Sequence, residues 1–160
     1  MKKSISITLI IAVICCTFLS LSVGAASENY SVVDIEFLNN GDYIETVISD
    51  IDEQVVPSVG RASKSITKTK TRYYKNSEGT VLWSVSITGT FTYNGTTSTC
   101  TSYSHKTTSP ASAWSIKSSS HSKSGNTATA RATATYKTAT TSKDYPMSVS
   151  IKCSASGTIS

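Results

Sequence analysis

VLWSVSITGTFTY, residues 81–93, carries apolar or aromatic side chains at every odd position except Gly89, and mostly Ser and Thr at the even positions. A period of two residues puts alternate side chains on opposite faces of a strand, so this segment predicts a β-strand with one buried face. Asn94-Gly95 follows directly. This dipeptide favours a two-residue hairpin turn, because both central residues of a type I′ turn need positive φ.

Two cysteines, Cys100 and Cys153, are predicted to face the core. A two-residue turn would place Cys100 opposite Gly89, where the missing side chain leaves room. Residues 147–155 alternate as well, and Cys153 falls on their apolar face. We therefore expect a buried Cys100–Cys153 disulfide, worth about 4 kcal/mol in the chain-entropy model for a loop of this length.

Further segments repeat the alternating pattern. Residues 127–136 alternate Ala with Thr or Arg. Because alanine side chains are short, we expect large side chains to pack against this Ala face, and Trp83 and Trp114 are the candidates. Residues 63–74 and 113–122 give additional strands. Together these segments predict an all-β fold, a single antiparallel β-sandwich of about six to eight strands, with a small β-barrel as the alternative.

The N-terminal segment has the pattern of a secretory signal peptide. Lys2 and Lys3 precede an apolar run that ends in small residues at Ala25 and Ala26. A short basic region, an apolar region and a small-residue cleavage site predict that residues 1–26 are removed on export. A permanent membrane anchor is the alternative, because the apolar run is nearly long enough to span a bilayer.

Charge divides the remaining chain into two parts. Residues 27–57 contain eight acids and no Lys or Arg, whereas residues 58–160 contain thirteen Lys and Arg and two acids. We divide the chain into an acidic arm with a linker, residues 27–62, and a cationic Ser/Thr-rich β-sandwich domain, residues 63–160. The arm has the pattern of a β-hairpin around residues 39–42, and a lone hairpin is marginally stable in water. It is therefore expected to fold back near the basic strand that follows it, or to be partly disordered.

Several motifs together resemble a known family. The run KTRYYKNSEG, residues 70–79, leads into LWSV, residues 82–85, then GTFTYNG, residues 89–95, and then Cys100. Trp114, the tripeptide at residues 124–126 and Cys153 fit the same pattern. This arrangement resembles a family of small secreted proteins of Gram-positive, clostridia-like bacteria that has no assigned function. The resemblance implies export and one compact domain, and it supplies no catalytic or binding residues.

Residue types that carry catalysis are sparse in the cationic domain. Its two acids, Glu78 and Asp144, fall in a predicted turn and a predicted loop, and His105 and His121 lie in Ser/Lys-rich sequence without metal-binding spacing. No G-x-S-x-G motif and no glycine-rich phosphate loop is present in the sequence. The sequence therefore predicts a protein that is not an enzyme and that has no cofactor and no metal site.

One basic row is the strongest functional feature of the sequence. On a strand its members would share a face, with Lys68 and Lys70 about 7 Å apart. These residues are candidates for binding a polyanion: Lys64, Lys68, Lys70 and Arg72. The alternative is that lysines protect an edge strand from aggregation. A nucleic-acid site is not expected, because aromatic residues do not alternate with the row.

We weigh three functions. The first is a secreted, non-enzymatic protein that binds an anionic cell-wall polymer or membrane surface. The second is a small secreted antimicrobial or toxin-like protein whose acidic arm is a masking pro-segment. The third is a secreted enzyme with a site assembled from scattered residues. The first is preferred, with the protein outside the cell or attached to its surface.

Overall fold

The computed structural model describes residues 30–50 and 63–160, all of whose regular structure is β-strand. The predicted all-β fold is confirmed. The predicted signal peptide, residues 1–26, and most of the predicted linker lie outside the described residues. No described residue belongs to a helix of the length and hydropathy that crossing a membrane requires. The eight strands are β1 Tyr30–Phe37, β2 Tyr43–Asp50, β3 Lys64–Lys75, β4 Val81–Tyr93, β5 Ser98–Thr108, β6 Trp114–Ser124, β7 Thr127–Lys137 and β8 Ser142–Lys152.

The strands form two antiparallel sheets that pack face to face. One sheet has the order β1-β2-β3-β4-β5 and the other has the order β6-β7-β8. Strand β4 packs against β7 and β8, β3 packs against β8, and β5 packs against β6 and β7. The acidic arm thus supplies two strands of the larger sheet, and β2 pairs with β3 from Tyr43↔Lys75 to Asp50↔Lys68.

The core lies between the two inner faces, where the alternating patterns predicted it. Trp83, Val85, Ile87 and Phe91 of β4 are fully buried. They belong to one cluster with the alanines of β7, the apolar residues of β8 and Trp114. Trp83 and Trp114, the candidates for covering the Ala face, are thus buried in the same cluster as the alanines.

The hairpin between β4 and β5 differs from its prediction in loop length. Tyr93 pairs with Ser98, so the loop has four residues instead of two. The side-chain Oδ1 of Asn94 accepts hydrogen bonds from the backbone N–H groups of Thr96 and Thr97, at 3.0 and 2.8 Å. An Asn side chain that bonds the backbone ahead of it stabilises such a turn. The strand register consequently shifts by two residues.

The structure does not support the predicted disulfide, because Cys100 and Cys153 are both buried and both are free. The shifted register places Cys100 opposite Phe91, and a β-bulge at Thr101 adds one more residue, so Gly89 faces Tyr103. The ring of Phe91 then covers Gly89, so the space that the prediction assigned to Cys100 is occupied. Each cysteine is held through its backbone N–H, which donates to Gly125 O at 2.9 Å for Cys100 and to Asn126 O at 3.1 Å for Cys153.

The edge strand β1 is exposed along its whole length. It carries the exposed large apolar side chains of the described residues, which are Tyr30, Val32, Val33, Ile35 and Phe37. A β-bulge at Val33 interrupts its pairing with β2. Bulges and charged residues on edge strands oppose edge-to-edge pairing of chains, and Asp34 and Glu36 supply the charges here.

Candidate functional site

The candidate polyanion row lies on an interior strand. Strand β3 is paired with β2 on one side and β4 on the other, so protection of a sheet edge is not its role. Lys68, Lys70 and Arg72 face Gly89, Ile87 and Val85 of β4 across the register, which puts them on the inner, core-side face of the sheet. Lys64, at the start of the strand, is exposed.

The acidic arm engages this row. Arg72 Nη2 donates to Glu36 Oε2 at 2.7 Å, and Lys68 forms an ion pair with Asp50. Burial and the neighbouring Arg72 lower the pKa of Lys70, and the charge of Asp34 partly opposes this. Three cations on β3 therefore lie beside three carboxylates of β1 and β2, and their charges largely cancel.

A fourth contact of the same kind lies on the outer face of the sheet. Lys75 Nζ is 2.5 Å from Glu45 Oε2, and both side chains are mostly buried. The same ammonium group lies over the rings of Tyr43 and Tyr73, at 5.9 and 5.7 Å from their centroids. A cation held over aromatic faces gains attraction from the rings in addition to the ion pair. Both faces of β3 are thus joined electrostatically to the acidic arm.

Between the arm and β8 lies an open cleft of about 580 Å³. Lys70 and Arg72 line one side of it, and Ser148 and Ser150 line the other. Arg72 Nη1 also donates to the backbone carbonyl of Ser148, at 3.3 Å. Because Asp34 lines the same cleft, an anionic ligand there would have to compete with a resident carboxylate.

The cations that form no ion pair within residues 30–50 and 63–160 are concentrated on the smaller sheet. All twelve Lys and Arg of these residues lie within strands, and four of them form ion pairs. Five of the other eight belong to β6–β8, namely Lys123, Arg131, Lys137, Lys143 and Lys152. The one acid of these three strands, Asp144, is already bonded to Lys117 and Thr135, at 2.5 and 2.6 Å. These two hydrogen bonds lower the pKa of Asp144.

Arg131 is central to the outer face of this sheet. It lies between Ser120 of β6 and Ser148 of β8 in the strand register, and all three are exposed. A shallow depression of about 440 Å³ includes Arg131 in its lining, together with hydroxyl residues such as Ser120 and Ser148 and the apolar Pro146 and Met147. A guanidinium group surrounded by hydroxyls offers charged and neutral donors to phosphate, sulfate or carboxylate groups.

The two histidines, which lie sixteen positions apart in the sequence, meet in space. The ring centroids of His105 on β5 and His121 on β6 are 4.3 Å apart. The sequence reasoning missed this contact, because it depends on two β-bulges that strict alternation does not anticipate. Among the described residues, no group of three or more His, Cys, Asp or Glu side chains has the arrangement of a metal site.

Comparisons with protein-family models, with curated proteins and with solved structures find no match to this chain.

Proposed function

We propose that the protein is a secreted, non-enzymatic protein that binds an anionic cell-surface or extracellular polymer through the outer face of the β6–β8 sheet. The observation that carries this proposal is the distribution of cations: by strand register Arg131, Lys137 and Lys152 lie on the outer face of the sheet, whereas Lys123 and Lys143 pair with residues of the inner face. In the predicted basic row on β3, Lys68 and Arg72 form ion pairs with Asp50 and Glu36. Arg131 and Lys152 on the smaller sheet have no acid bonded to them within the described residues.

The shape of the surface supports the same partner. A strand face rich in Ser and Thr suits an extended polymer, because it offers many hydroxyl contacts along its length. The hydroxyl of Thr129 bonds that of Ser150 across the strands at 2.8 Å, which orders part of this face. Electrostatic attraction of this kind is screened by salt, since the Debye length falls to about 10 Å at 0.1 M.

Retention on an anionic matrix tests the proposal. We expect the protein to bind a phosphate- or sulfate-bearing resin at low ionic strength and to elute as salt rises. The double variant R131Q/K152Q should elute at a lower salt concentration than the wild type. The matched control is K68Q/K70Q, which removes the same charge from β3 and should elute closer to the wild type.

Two results would contradict the proposal in different ways. Retention that does not fall with salt would exclude an electrostatic attachment. Equal loss of retention in the two double variants would show that net charge alone acts, and that the β6–β8 face is not a specific surface. Circular dichroism of each variant verifies that the β-sheet content is kept.

A second candidate function, a masked antimicrobial or toxin-like protein, is favoured by the pairing of the arm with β3. Glu36, Asp50 and Glu45 each contact a cation of that strand. Removal of the arm would expose the basic row, as a pro-segment mechanism requires. However, Thr46 and Val47 of β2 are buried, so the arm would stay bound after a cut in the linker until it was displaced.

Intact-mass analysis of culture supernatant distinguishes the two candidates. A masked protein should yield fragments that begin near Arg61, a residue outside the described ranges. A secreted species that begins near residue 26 in every sample would contradict masking and leave the first proposal in place.

A further inference from the structure

The seam where β5 meets β6 holds the two histidines in direct contact. The rings of His105 and His121 are tilted by 38° with their centroids 4.3 Å apart. His105 is half-buried and His121 is exposed, so the pair can be reached from solvent. Tyr103 lies edge-on to His121 at 5.2 Å and forms one wall of the seam.

Two β-bulges create this contact. In β5 the pairing passes from Cys100 to Ser102 and leaves Thr101 unpaired, and in β6 it passes from Ile116 to Ser118 and leaves Lys117 unpaired. Each extra residue reverses the alternation that follows it. Without the bulges both histidines would lie on the outer faces of their sheets, whereas with them His105 pairs with Ile87 and His121 pairs with Ala130 on the inner faces.

We propose that His105 and His121 together bind a divalent transition-metal ion such as Zn²⁺, Ni²⁺ or Cu²⁺, with water in the remaining coordination positions. Imidazole nitrogen suits these ions better than Mg²⁺ or Ca²⁺. Metal–nitrogen bonds of about 2.0–2.1 Å place two ligand nitrogens roughly 3 Å apart. Rings whose centroids are 4.3 Å apart can reach that spacing by rotating their side chains.

Ser119 helps to define which ring nitrogen of His105 would bind the metal ion. Its Oγ lies 3.1 Å from Nε2 of His105. When Nε2 donates its hydrogen to this hydroxyl, the lone pair of the neutral ring resides on Nδ1, which becomes the metal ligand. With only two protein ligands, the ion exchanges with solvent.

Lys123 sets the affinity of the pair. It follows His121 by two residues on the same face of β6, and its Nζ donates to the carbonyl of Cys100 at 3.0 Å. Its position over the ring of Tyr103, 5.6 Å from the centroid, keeps this charge beside the seam. A fixed ammonium group opposes a bound cation, so its removal should strengthen metal binding.

Binding would join the two sheets, because β5 belongs to the larger sheet and β6 to the smaller. A ligand that binds only the folded state stabilises it by mass action. The thermal unfolding midpoint should therefore rise with Zn²⁺ or Ni²⁺ and return to its initial value when a chelator is added.

Calorimetric titration of the untagged protein with Zn²⁺ and with Ni²⁺ tests the proposal. We expect one ion per chain, an affinity at least tenfold weaker in H105N and in H121N, and a tighter affinity in K123Q. Absence of binding by the folded wild type at millimolar metal would overturn the proposal, as would an unchanged affinity in both histidine variants.

A second measurement does not depend on the stability of the variants. Ni²⁺ added to the ¹⁵N-labelled wild type should broaden the NMR signals of His105, His121 and their neighbours first. Broadening that begins elsewhere on the surface would mean adventitious binding and would refute the assigned site.

Discussion

Replacement of Gly89 by Ala is expected to destabilise the fold by a purely steric route. A Cβ atom at this position would lie 2.6 Å from Cε2 and from Cζ of Phe91, and 3.3 Å from Cγ2 of Ile151. Contacts under 3 Å between carbon atoms require movement, and both neighbours are fully buried. Overpacking a dense core in this way typically costs 1–3 kcal/mol, and we expect about 2 kcal/mol for G89A.

Urea denaturation followed by tryptophan fluorescence measures this cost, since Trp83 and Trp114 are both buried. The partner substitution is Phe91→Leu, which removes the ring atoms that the new methyl group would meet. We expect the double variant G89A/F91L to be more stable than the sum of the two single changes implies. The coupling energy should be about 1 kcal/mol or more, because the residues share one contact.

Gly95→Ala is the control. Gly95 has a φ of +85°, and no atom lies within 4 Å of the position that a Cβ would take there, so its substitution adds backbone strain without a clash. That strain costs about 1–2 kcal/mol and should not depend on Phe91. The steric explanation is refuted if the unfolding free energy of G89A lies within 0.5 kcal/mol of the wild-type value, which is about the resolution of such comparisons. It is also refuted if G89A lowers the unfolding free energy by the same amount with and without F91L.

Three further predictions concern single side chains. Burial raises the pKa of the Tyr74 hydroxyl from 10.0 to about 12. As pH rises from 10 to 12 the unfolded chain loses the Tyr74 proton before the folded chain does, so the free energy of unfolding should fall over this range. The urea midpoint of Y74F should fall less than that of the wild type over the same range, and equal falls would contradict the burial. The thiols of Cys100 and Cys153 should react with a thiol reagent only after unfolding, because both are buried and burial raises the pKa of the Cys100 thiol. If peptide mass analysis finds the two cysteines joined by a disulfide, the assignment of free thiols is contradicted. Asn94→Ala removes three hydrogen bonds in the β4–β5 loop and should lower the unfolding free energy measured in urea by about 1–2 kcal/mol. An unchanged midpoint would show that the loop does not need them.

The buried faces of β4 and β7 could be predicted from the sequence, because apolar residues at every second position of a strand share the face that packs in the core. Trp83, Val85 and Ile87 on β4 and the alanines of β7 follow that rule, and all of them are buried as predicted. The error at Cys100 came from the loop, where the side-chain bonds of Asn94 favour four residues over two. As far as Cys100 the shift is two residues, which keeps this side chain on the inner face and changes the residue opposite it, so its burial was predicted correctly and its cross-strand partner was not.

The site was less predictable because it depends on non-local pairing. The basic row at Lys68 to Arg72 could be recognised, but its interior position in the sheet follows from β2 docking beside it. The pairing of Arg72 with Glu36 needs a register that charge patterns do not specify. The contact of His105 with His121 needs two bulges, and a β-bulge at a Thr or a Lys leaves no distinctive residue in the sequence.

The placement of every described Lys and Arg within a strand has a consequence for degradation. A protease that cuts after basic residues must bind several residues in an extended, unpaired form, and turns and loop tips are where such segments are usually found. In residues 30–50 and 63–160 the turns contain no basic residue, and only Lys75, Lys137 and Lys152 end a strand, so a cut after any other of these Lys or Arg requires strands to separate first. Cleavage of this part by trypsin-like enzymes should therefore follow the free energy of opening the sheets. The rate of digestion would then report fold stability, and the same arrangement would prolong the life of the folded protein where such proteases are abundant.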